Sequence, residues 1–215
     1  MLGLLLQHQG LPFTIYERGH KNIHKDRGGS LDIHDDSGQL ALKQAGIFEV
    51  FRKYARFDGE DTRIVRKDGK ILYDEDAEDE GSRPEIDRGK LCDIIVEQIN
   101  PQHIKYGYKY ENMKQLDNSH AELTFENGVK VITDLVIGAD GAFSKIRPHL
   151  TDVMPEYTGI SMIEMNSDEN EHPDLLKFNK NGKVMALGGH QAILGQRNGD
   201  GRIMAYISFK MMYDT

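Results

Sequence analysis

The sequence predicts an α/β fold in which helices alternate with short buried strands, followed by a region of antiparallel strands. A helical apolar segment at residues 1–10 leads directly into a strand-like segment at residues 11–16. The apolar run at residues 135–137 is continuous rather than alternating, which is typical of a parallel strand covered on both faces. Antiparallel strands are indicated by three late runs, at residues 183–188, 191–195 and 202–209.

The apolar run at residues 135–137 ends in Gly-Ala-Asp-Gly, residues 138–141. Glycines on both sides of Asp140 allow a sharp turn and a close approach to another group. Ser144 suits the N-cap of a following helix. A strand that ends in this way can accommodate the pyrophosphate or ribose of a nucleotide. The alternative is an ordinary Asp-Gly turn that binds nothing.

The first helix and strand form the start of a possible dinucleotide fold. The helix is predicted to close at Gly10, and the strand after it ends at Glu17. A carboxylate at the end of the second strand of such a fold accepts hydrogen bonds from the ribose hydroxyls of adenosine. A solvated charged strand end is the alternative.

Further elements follow from periodicity and turn residues. We expect a helix at residues 48–57 and a β-hairpin formed by residues 62–66 and 70–73 around Asp68-Gly69. Asp87 is a suitable N-cap for a helix at residues 91–99. A β-meander is predicted from strands at residues 104–110, 121–125 and 129–133, and a polar loop at residues 166–173.

Composition restricts the possible functions of this 215-residue chain. The formal net charge of −8 argues against general binding of nucleic acids or membrane surfaces, since both are anionic. No apolar run approaches the ~18 residues of a membrane span. Cys92 is the single cysteine, and the nine histidines form no closed set of metal ligands. We therefore expect a cytoplasmic protein without a metal site.

Two segments resemble the same protein family. The pattern Gly-Ala-Asp-Gly-Ala-x-Ser-x-x-Arg at residues 138–147 resembles the second nucleotide motif of flavin-dependent aromatic hydroxylases. Residues 10–18, Gly-Leu-Pro-Phe-Thr-Ile-Tyr-Glu-Arg, resemble the second unit of the FAD domain in that family. From Leu4 to about Lys210 the sequence is similar to the flavin monooxygenases that inactivate tetracyclines.

The resemblance implies a partial Rossmann-type FAD/NAD(P)-binding domain at residues 1–150, with the hairpin and acidic loop of residues 60–82 inserted. It also implies part of an antiparallel substrate-binding sheet at residues 151–215. The family's first strand and Gly-x-Gly-x-x-Gly turn have no counterpart in this sequence. We therefore expect a chain that is truncated at both ends relative to the family.

The resemblance also implies which residues bind the cofactors. Glu17 matches the acid that holds the adenosine ribose, and Arg18 beside it would face the adenine or a phosphate. Asp32 matches an aspartate at the flavin end. Arg88 matches an arginine that reaches back to FAD, for which a salt bridge at the helix end is the alternative.

The remaining implied cofactor residues concern the phosphates and NADPH. Asp140 and Gly141 lie in the motif that the family places near the pyrophosphates of FAD and NADPH. Lys25 lies where the family has a basic residue linked to NADPH, and a solvated charged loop is the alternative.

Three positions match substrate-facing positions of the tetracycline enzymes. Lys177 stands where that group has a glutamine, Arg197 aligns with an arginine near the substrate, and Phe209 aligns with an aromatic residue of the pocket. Their alternatives are a surface lysine, a turn arginine and a phenylalanine of the sheet core.

The implied activity is monooxygenation of an aromatic or tetracycline-like small molecule by a monomer that uses FAD and NADPH. In such enzymes NADPH reduces the flavin, dioxygen adds to form a flavin hydroperoxide, and its distal oxygen passes to an electron-rich ring. No catalytic side chain is assigned, since the cofactor performs the chemistry. Two alternatives stay open, namely a non-catalytic ligand-binding remnant and an inactive truncation product.

Overall fold

The computed structural model describes residues 1–21, 28–77 and 82–211. Within these ranges the helices are α1 (Leu2–His8), α2 (Gly38–Gln44), α3 (Phe48–Arg52), α4 (Arg88–Gln98) and α5 (Pro173–Asn179). The strands are β1 (Ile15–Glu17), β2 (Ser30–Asp32), β3 (Thr62–Val65), β4 (Ile71–Glu75), β5 (Glu85–Asp87), β6 (Ile104–Tyr106), β7 (Tyr110–Gln115), β8 (Ala121–Phe125), β9 (Lys130–Thr133), β10 (Ile160–Asp168), β11 (Lys183–Gly188), β12 (Gln191–Arg197) and β13 (Arg202–Lys210). The predicted α/β class is confirmed.

The chain divides into two compact units. Unit 1 comprises the ranges 1–11, 24–98 and 159–215, and unit 2 comprises 12–23 and 99–158. No helix within the described ranges combines the length and the apolar character that crossing a bilayer requires.

The largest sheet of unit 1 has the strand order β10-β13-β12-β11-β3-β4. Its strands β10 to β13 pair in antiparallel fashion, which confirms the antiparallel strands predicted for the end of the chain. The predicted hairpin is also confirmed as β3 and β4. Because β3 pairs in parallel with β11, the hairpin belongs to the same sheet as the C-terminal strands, whereas the sequence analysis placed it inside the first domain.

Helices α1 to α4 of unit 1 each bury at least one apolar side chain. Leu4, Leu42, Phe51 and Ile94 are almost fully buried, and each such side chain contributes about 1.5–3 kcal/mol when it leaves water. The predicted first helix is confirmed as α1. The helix predicted at residues 48–57 ends early, at Arg52, because the backbone of Arg56 pairs with Glu85 instead of continuing the helix.

Unit 2 contains the parallel pair β1–β6 and the antiparallel meander β7-β8-β9. The rings of Tyr16, Tyr108 and Phe125 pack together with centroids 4.7–5.3 Å apart. The prediction of one strand at residues 104–110 was wrong, because the chain turns at Gly107 with a φ of 77°. Its first half pairs with β1, and only its last residue joins the meander.

The predicted buried strand at residues 135–137 is not formed. Leu135 is 75% exposed and Ile137 is 56% exposed. A strand needs a neighbour to satisfy its backbone N–H and C=O groups, and in the described part of the chain no strand pairs with this segment. The prediction of a buried strand at these residues was therefore wrong.

The polar loop predicted at residues 166–173 is confirmed only at residues 169–172. β10 continues to Asp168, and α5 begins at Pro173, where the missing N–H of proline costs nothing. The sequence analysis did not predict α5, which packs on β11 and β12.

Candidate functional site

Two glycines lead into β2 in unit 1, and both are required by the local geometry. Gly28 has a φ of 77°, a conformation that residues with a Cβ rarely adopt. A Cβ on Gly29 would lie 2.6 Å from Oε1 of Gln196, a residue of β12. The amide of Ser30 donates to the same Oε1 at 3.2 Å. The glycine segment therefore lies directly against β12.

A buried ion pair connects β5 to the segment that follows α3. Nη2 of Arg56 lies 2.7 Å from Oε2 of Glu85, and the Glu85 side chain is 0% exposed. Burial raises the pKa of the Glu85 carboxyl to about 7, although the positive charge of Arg56 and a hydrogen bond from Gln196 act in the opposite direction. Glu85 therefore titrates close to neutral pH.

The guanidinium of Arg56 has three further acceptors. It donates to Oγ of Ser30 at 3.3 Å, to the carbonyl oxygen of Arg197 at 2.6 Å and to that of Asn181 at 3.0 Å. Arginine suits this position because its rigid fork holds several donors in fixed directions. Strands β2 and β5 pair in antiparallel fashion and form a two-stranded ribbon. Arg56 connects this β2–β5 ribbon to the end of β12.

Asp87, predicted to cap the helix at residues 91–99, uses its carboxylate for two other contacts. It accepts from Oγ of Ser30 at 2.9 Å and from the amide of Gly199 at 2.8 Å. The helix itself begins at Arg88, directly after Asp87. Asp87 therefore fastens the turn between β12 and β13 to the ribbon.

Two predicted FAD residues lie at the ends of this ribbon. Asp32 ends β2, and its carboxylate pairs with Nζ of Lys183 at 3.1 Å. Arg88 is exposed and begins α4. Its amide donates to the carbonyl of Gly29, and its Cδ lies 3.4 Å from the point where a Cβ on Gly28 would stand. The Arg88 side chain thus runs along the glycine segment.

The three predicted substrate residues lie in different surroundings of unit 1. Lys177 is exposed on the last turn of α5. Arg197 forms a two-point ion pair with Glu169, at 2.7 and 3.2 Å, and this pairing raises the pKa of Arg197. Phe209 is half-buried on β13 and stands opposite Gln191 of β12. Arg197 is therefore already committed to a carboxylate of its own chain.

Unit 2 carries the predicted adenosine-side residues. Glu17 ends β1 and is half-buried, and its Oε1 accepts from the amide of Gly19 at 2.6 Å. Arg18 beside it is exposed. Lys25 lies outside the described residues.

The loop after residue 137 is shaped by Asp140. Its carboxylate accepts from Oγ of Ser144 at 2.5 Å and from the amide of Lys145 at 2.8 Å. Burial alone would raise the pKa of Asp140, but these hydrogen bonds outweigh it and lower the pKa. Gly141 has a φ of 91°, and Ser144 accepts from the amides of Ile146 and Arg147, much as predicted for a cap.

The sequence analysis missed four residues that organise this part of unit 1, namely Arg56, Glu85, Lys183 and Gln196. A charged residue in a short strand is normally assigned to the solvated face. Glu85 stands next to Pro84 in the segment leading to Arg88, but nothing in the local pattern indicates that its partners come from residues far away in the chain.

Several curated proteins are similar to this chain in sequence. Monooxygenase asqM from Emericella nidulans is 27% identical over 224 residues, which is 93% of this chain and 49% of that protein. A flavin-dependent monooxygenase from an unknown prokaryotic organism is 33% identical over 147 residues, 66% of this chain and 37% of that protein. The chain thus spans about half the length of the curated relatives it matches, or less. No protein-family model matches it.

The chain is similar in sequence to monooxygenases, among them a flavin-dependent one. Two solved structures share its fold. Tetracycline destructase Tet(51) has a TM-score of 0.68 at 21% identity, covering 99% of this chain and 55% of that one. HpxO from Klebsiella pneumoniae, complexed with FAD and uric acid, has a TM-score of 0.75 at 16% identity, covering 99% and 54%. The predicted monooxygenase resemblance is confirmed, while the role of each named residue stays a prediction.

Proposed function

We propose that the chain forms part of an FAD-dependent monooxygenase that uses NADPH or NADH to add one oxygen atom to an aromatic or tetracycline-like small molecule. The relatives named above support this proposal at the level of the reaction. Within the chain, the main support is the position of Arg88, an exposed arginine that lies beside Gly28, a glycine with a positive φ. A permanent cation along a glycine backbone is well suited to a phosphate or the polar edge of a flavin.

The residues of unit 1 are chemically compatible with the flavin end of FAD. Gly29 is required because Gln196 and Tyr206 pack against it, so the backbone next to Arg88 is held close to the sheet. Asp32 is held by Lys183, so this carboxylate keeps a fixed orientation and a balanced charge. We propose that Arg88 binds FAD directly and that Asp32 contacts its flavin end.

The residues of unit 2 are compatible with the nucleotide end. A carboxylate offers about four acceptor positions, and the amide of Gly19 uses one at Glu17. We propose that Glu17 accepts the ribose hydroxyls and that Arg18 faces the adenine or a phosphate. Asp140 shapes its loop through Ser144 and Lys145, and we propose that the Gly141 backbone faces the pyrophosphate.

When bound, FAD supplies the redox chemistry and the activation of dioxygen. The proposed contribution of the protein is to bind and orient the cofactor and the substrate. Phe209 offers an aromatic face to a planar substrate. We propose that Arg197, already paired with Glu169, positions the end of β12, and that Lys177 contacts only the outer part of a substrate. Lys25 is proposed as an NADPH contact on sequence grounds alone.

The test is reconstitution of the purified chain with FAD. Visible absorbance after desalting reports retained flavin, and loss of NADPH absorbance with a panel of phenols, aromatic acids and tetracyclines reports turnover. Mass spectrometry of the products then identifies a gain of one oxygen atom. Arg88→Lys is compared with Arg52→Lys, since Arg52 is an exposed arginine on α3.

Three outcomes separate the possibilities. Retained flavin with substrate-dependent NADPH oxidation supports the proposal. Retained flavin without any turnover favours a non-catalytic ligand-binding protein. A folded protein that retains no flavin contradicts the proposal for this chain.

A further inference from the structure

The backbone that follows the glycine segment is held by a side chain of the six-stranded sheet. Oε1 of Gln196 on β12 accepts from the amide of Ser30 at 3.2 Å. The hydroxyl of Tyr206 on β13 lies beside the neighbouring Gly29, 3.3 Å from the point where a Cβ would stand. Two neighbouring strands therefore contact two consecutive residues, each through one side chain.

The other end of the Gln196 amide is held as well. Nε2 donates to Oε1 of Glu85 at 3.2 Å. A carboxylate only accepts and a backbone amide only donates, so one orientation of the Gln196 amide satisfies both partners. Leucine or methionine at this position would satisfy neither.

These contacts close into a ring of hydrogen bonds. Glu85 binds Arg56 at 2.7 Å, and Arg56 donates to Oγ of Ser30 at 3.3 Å. Ser30 is therefore reached from both sides, at its amide through Gln196 and at its hydroxyl through Arg56. Networks of this kind hold a backbone segment more rigidly than a single contact does.

We infer that Gln196 is a positioning residue, which fixes the Gly29–Ser30 backbone to the buried Arg56–Glu85 pair and so holds the segment leading to Asp32 in the conformation that binds the cofactor. The inference rests on the proposed function for its purpose, but the fixing of the backbone can be measured without any cofactor. Gln196 touches neither cofactor nor substrate in this proposal, and it acts only through Ser30.

The experiment uses the full chain with Gln196→Met, a substitution that keeps the length of the side chain and removes both hydrogen bonds. Gln191→Met is the matched control, since Gln191 is an exposed glutamine on the same strand. Amide hydrogen exchange is measured residue by residue without FAD, and the FAD dissociation constant is measured by quenching of flavin fluorescence. Thermal melts of both variants check that they fold.

Loss of one hydrogen bond of this kind corresponds to roughly fivefold to tenfold in an equilibrium. We expect Ser30 to exchange faster by about that factor in Gln196→Met. FAD binding weakens by a similar factor, and Gln191→Met behaves like the unmodified chain in both measurements. If Gln196→Met does not fold, Gln196→Glu is measured at about pH 5, where the proton on Glu85 can bridge the two carboxyl groups. This variant keeps the acceptor for Ser30 and is predicted to keep Ser30 protected.

Unchanged exchange at Ser30 in a folded Gln196→Met variant overturns the inference, as does accelerated exchange with unchanged FAD affinity. For Gln196→Glu, loss of protection at Ser30 overturns it. If the unmodified chain binds no FAD, the proposed function fails, and the purpose assigned to Gln196 fails with it. The exchange data would still decide separately whether Gln196 fixes the backbone.

Discussion

The buried carboxyl of Glu85 makes a specific prediction about how stability depends on pH. Its pKa is raised from 4.5 to about 7, chiefly by burial. The folded protein therefore holds this proton more tightly than the unfolded chain does. The stability that protonated Glu85 provides is fully present below pH 4.5 and is lost as the pH rises through about 7.

The magnitude follows from the size of the pKa change. One pKa unit corresponds to about 1.36 kcal/mol, so a rise from 4.5 to about 7 corresponds to about 3 kcal/mol across this pH range. Burial sets this rise, and Asp32 adds to it. Arg56, Lys183 and the hydrogen bond from Gln196 oppose it. Glu85→Gln removes the titrating group and keeps the shape of the side chain.

The assay is urea denaturation followed by circular dichroism at about pH 5 and about pH 8, where the free energy of unfolding is extrapolated to water. The other titrating groups are common to all variants, so the difference between variants isolates Glu85. We expect the decrease in stability from the lower to the higher pH to be about 2–3 kcal/mol smaller in Glu85→Gln. Glu49→Gln, at an exposed glutamate of α3, is the control. Equal pH dependence in Glu85→Gln and the unmodified chain would refute the reasoning.

Three further predictions concern the fold and the cofactor residues. In Gly182→Ala the new Cβ would stand 2.5 Å from the carbonyl oxygen of Gly59 and closer still to that of Asp61, so we expect the free energy of unfolding to fall by about 1–3 kcal/mol in urea denaturation. The control is Gly188→Ala, which should be close to neutral because nothing lies within 4 Å of its new Cβ. Equal denaturation midpoints for the two variants would contradict this prediction. Glu17→Ala should weaken FAD binding about tenfold to a hundredfold through loss of a charged acceptor. Glu111→Ala, at an exposed residue of unit 2, should leave FAD binding unchanged. Titration of the apoprotein with FAD measures both, and an unchanged dissociation constant in Glu17→Ala would show that Glu17 does not bind FAD. Arg88→Lys should reduce flavin retention although it keeps the charge, because lysine lacks the planar fork. A variant that keeps its full visible absorbance after desalting would show that Arg88 is only the first residue of α4.

Local features of the sequence were enough to predict most of the antiparallel sheet and the first helix. Alternating apolar residues and turn residues act within a few positions, so β11, β12, β13 and the β3–β4 hairpin followed from periodicity. The resemblance to flavin monooxygenases could be recognised from residues 138–147 for a similar reason, because spacing along the chain is a local property. The shape of that loop, with Ser144 accepting from the amides that follow it, was also predictable for this reason.

Only the tertiary structure decided which partners these elements meet. Residues 135–137 have the composition of a buried strand, but a strand forms only where a neighbour supplies hydrogen bonds, and none in the described part of the chain does so. The parallel pairing of β3 with β11 joins residues more than a hundred positions apart, which no local pattern encodes. Glu85 is the clearest case, since the burial that raises its pKa, and the contacts with Arg56 and Gln196 that oppose this rise, exist only through the fold. The chemistry of a side chain is set by its residue type, but the electrostatic environment that tunes it is set by residues brought together from distant parts of the chain.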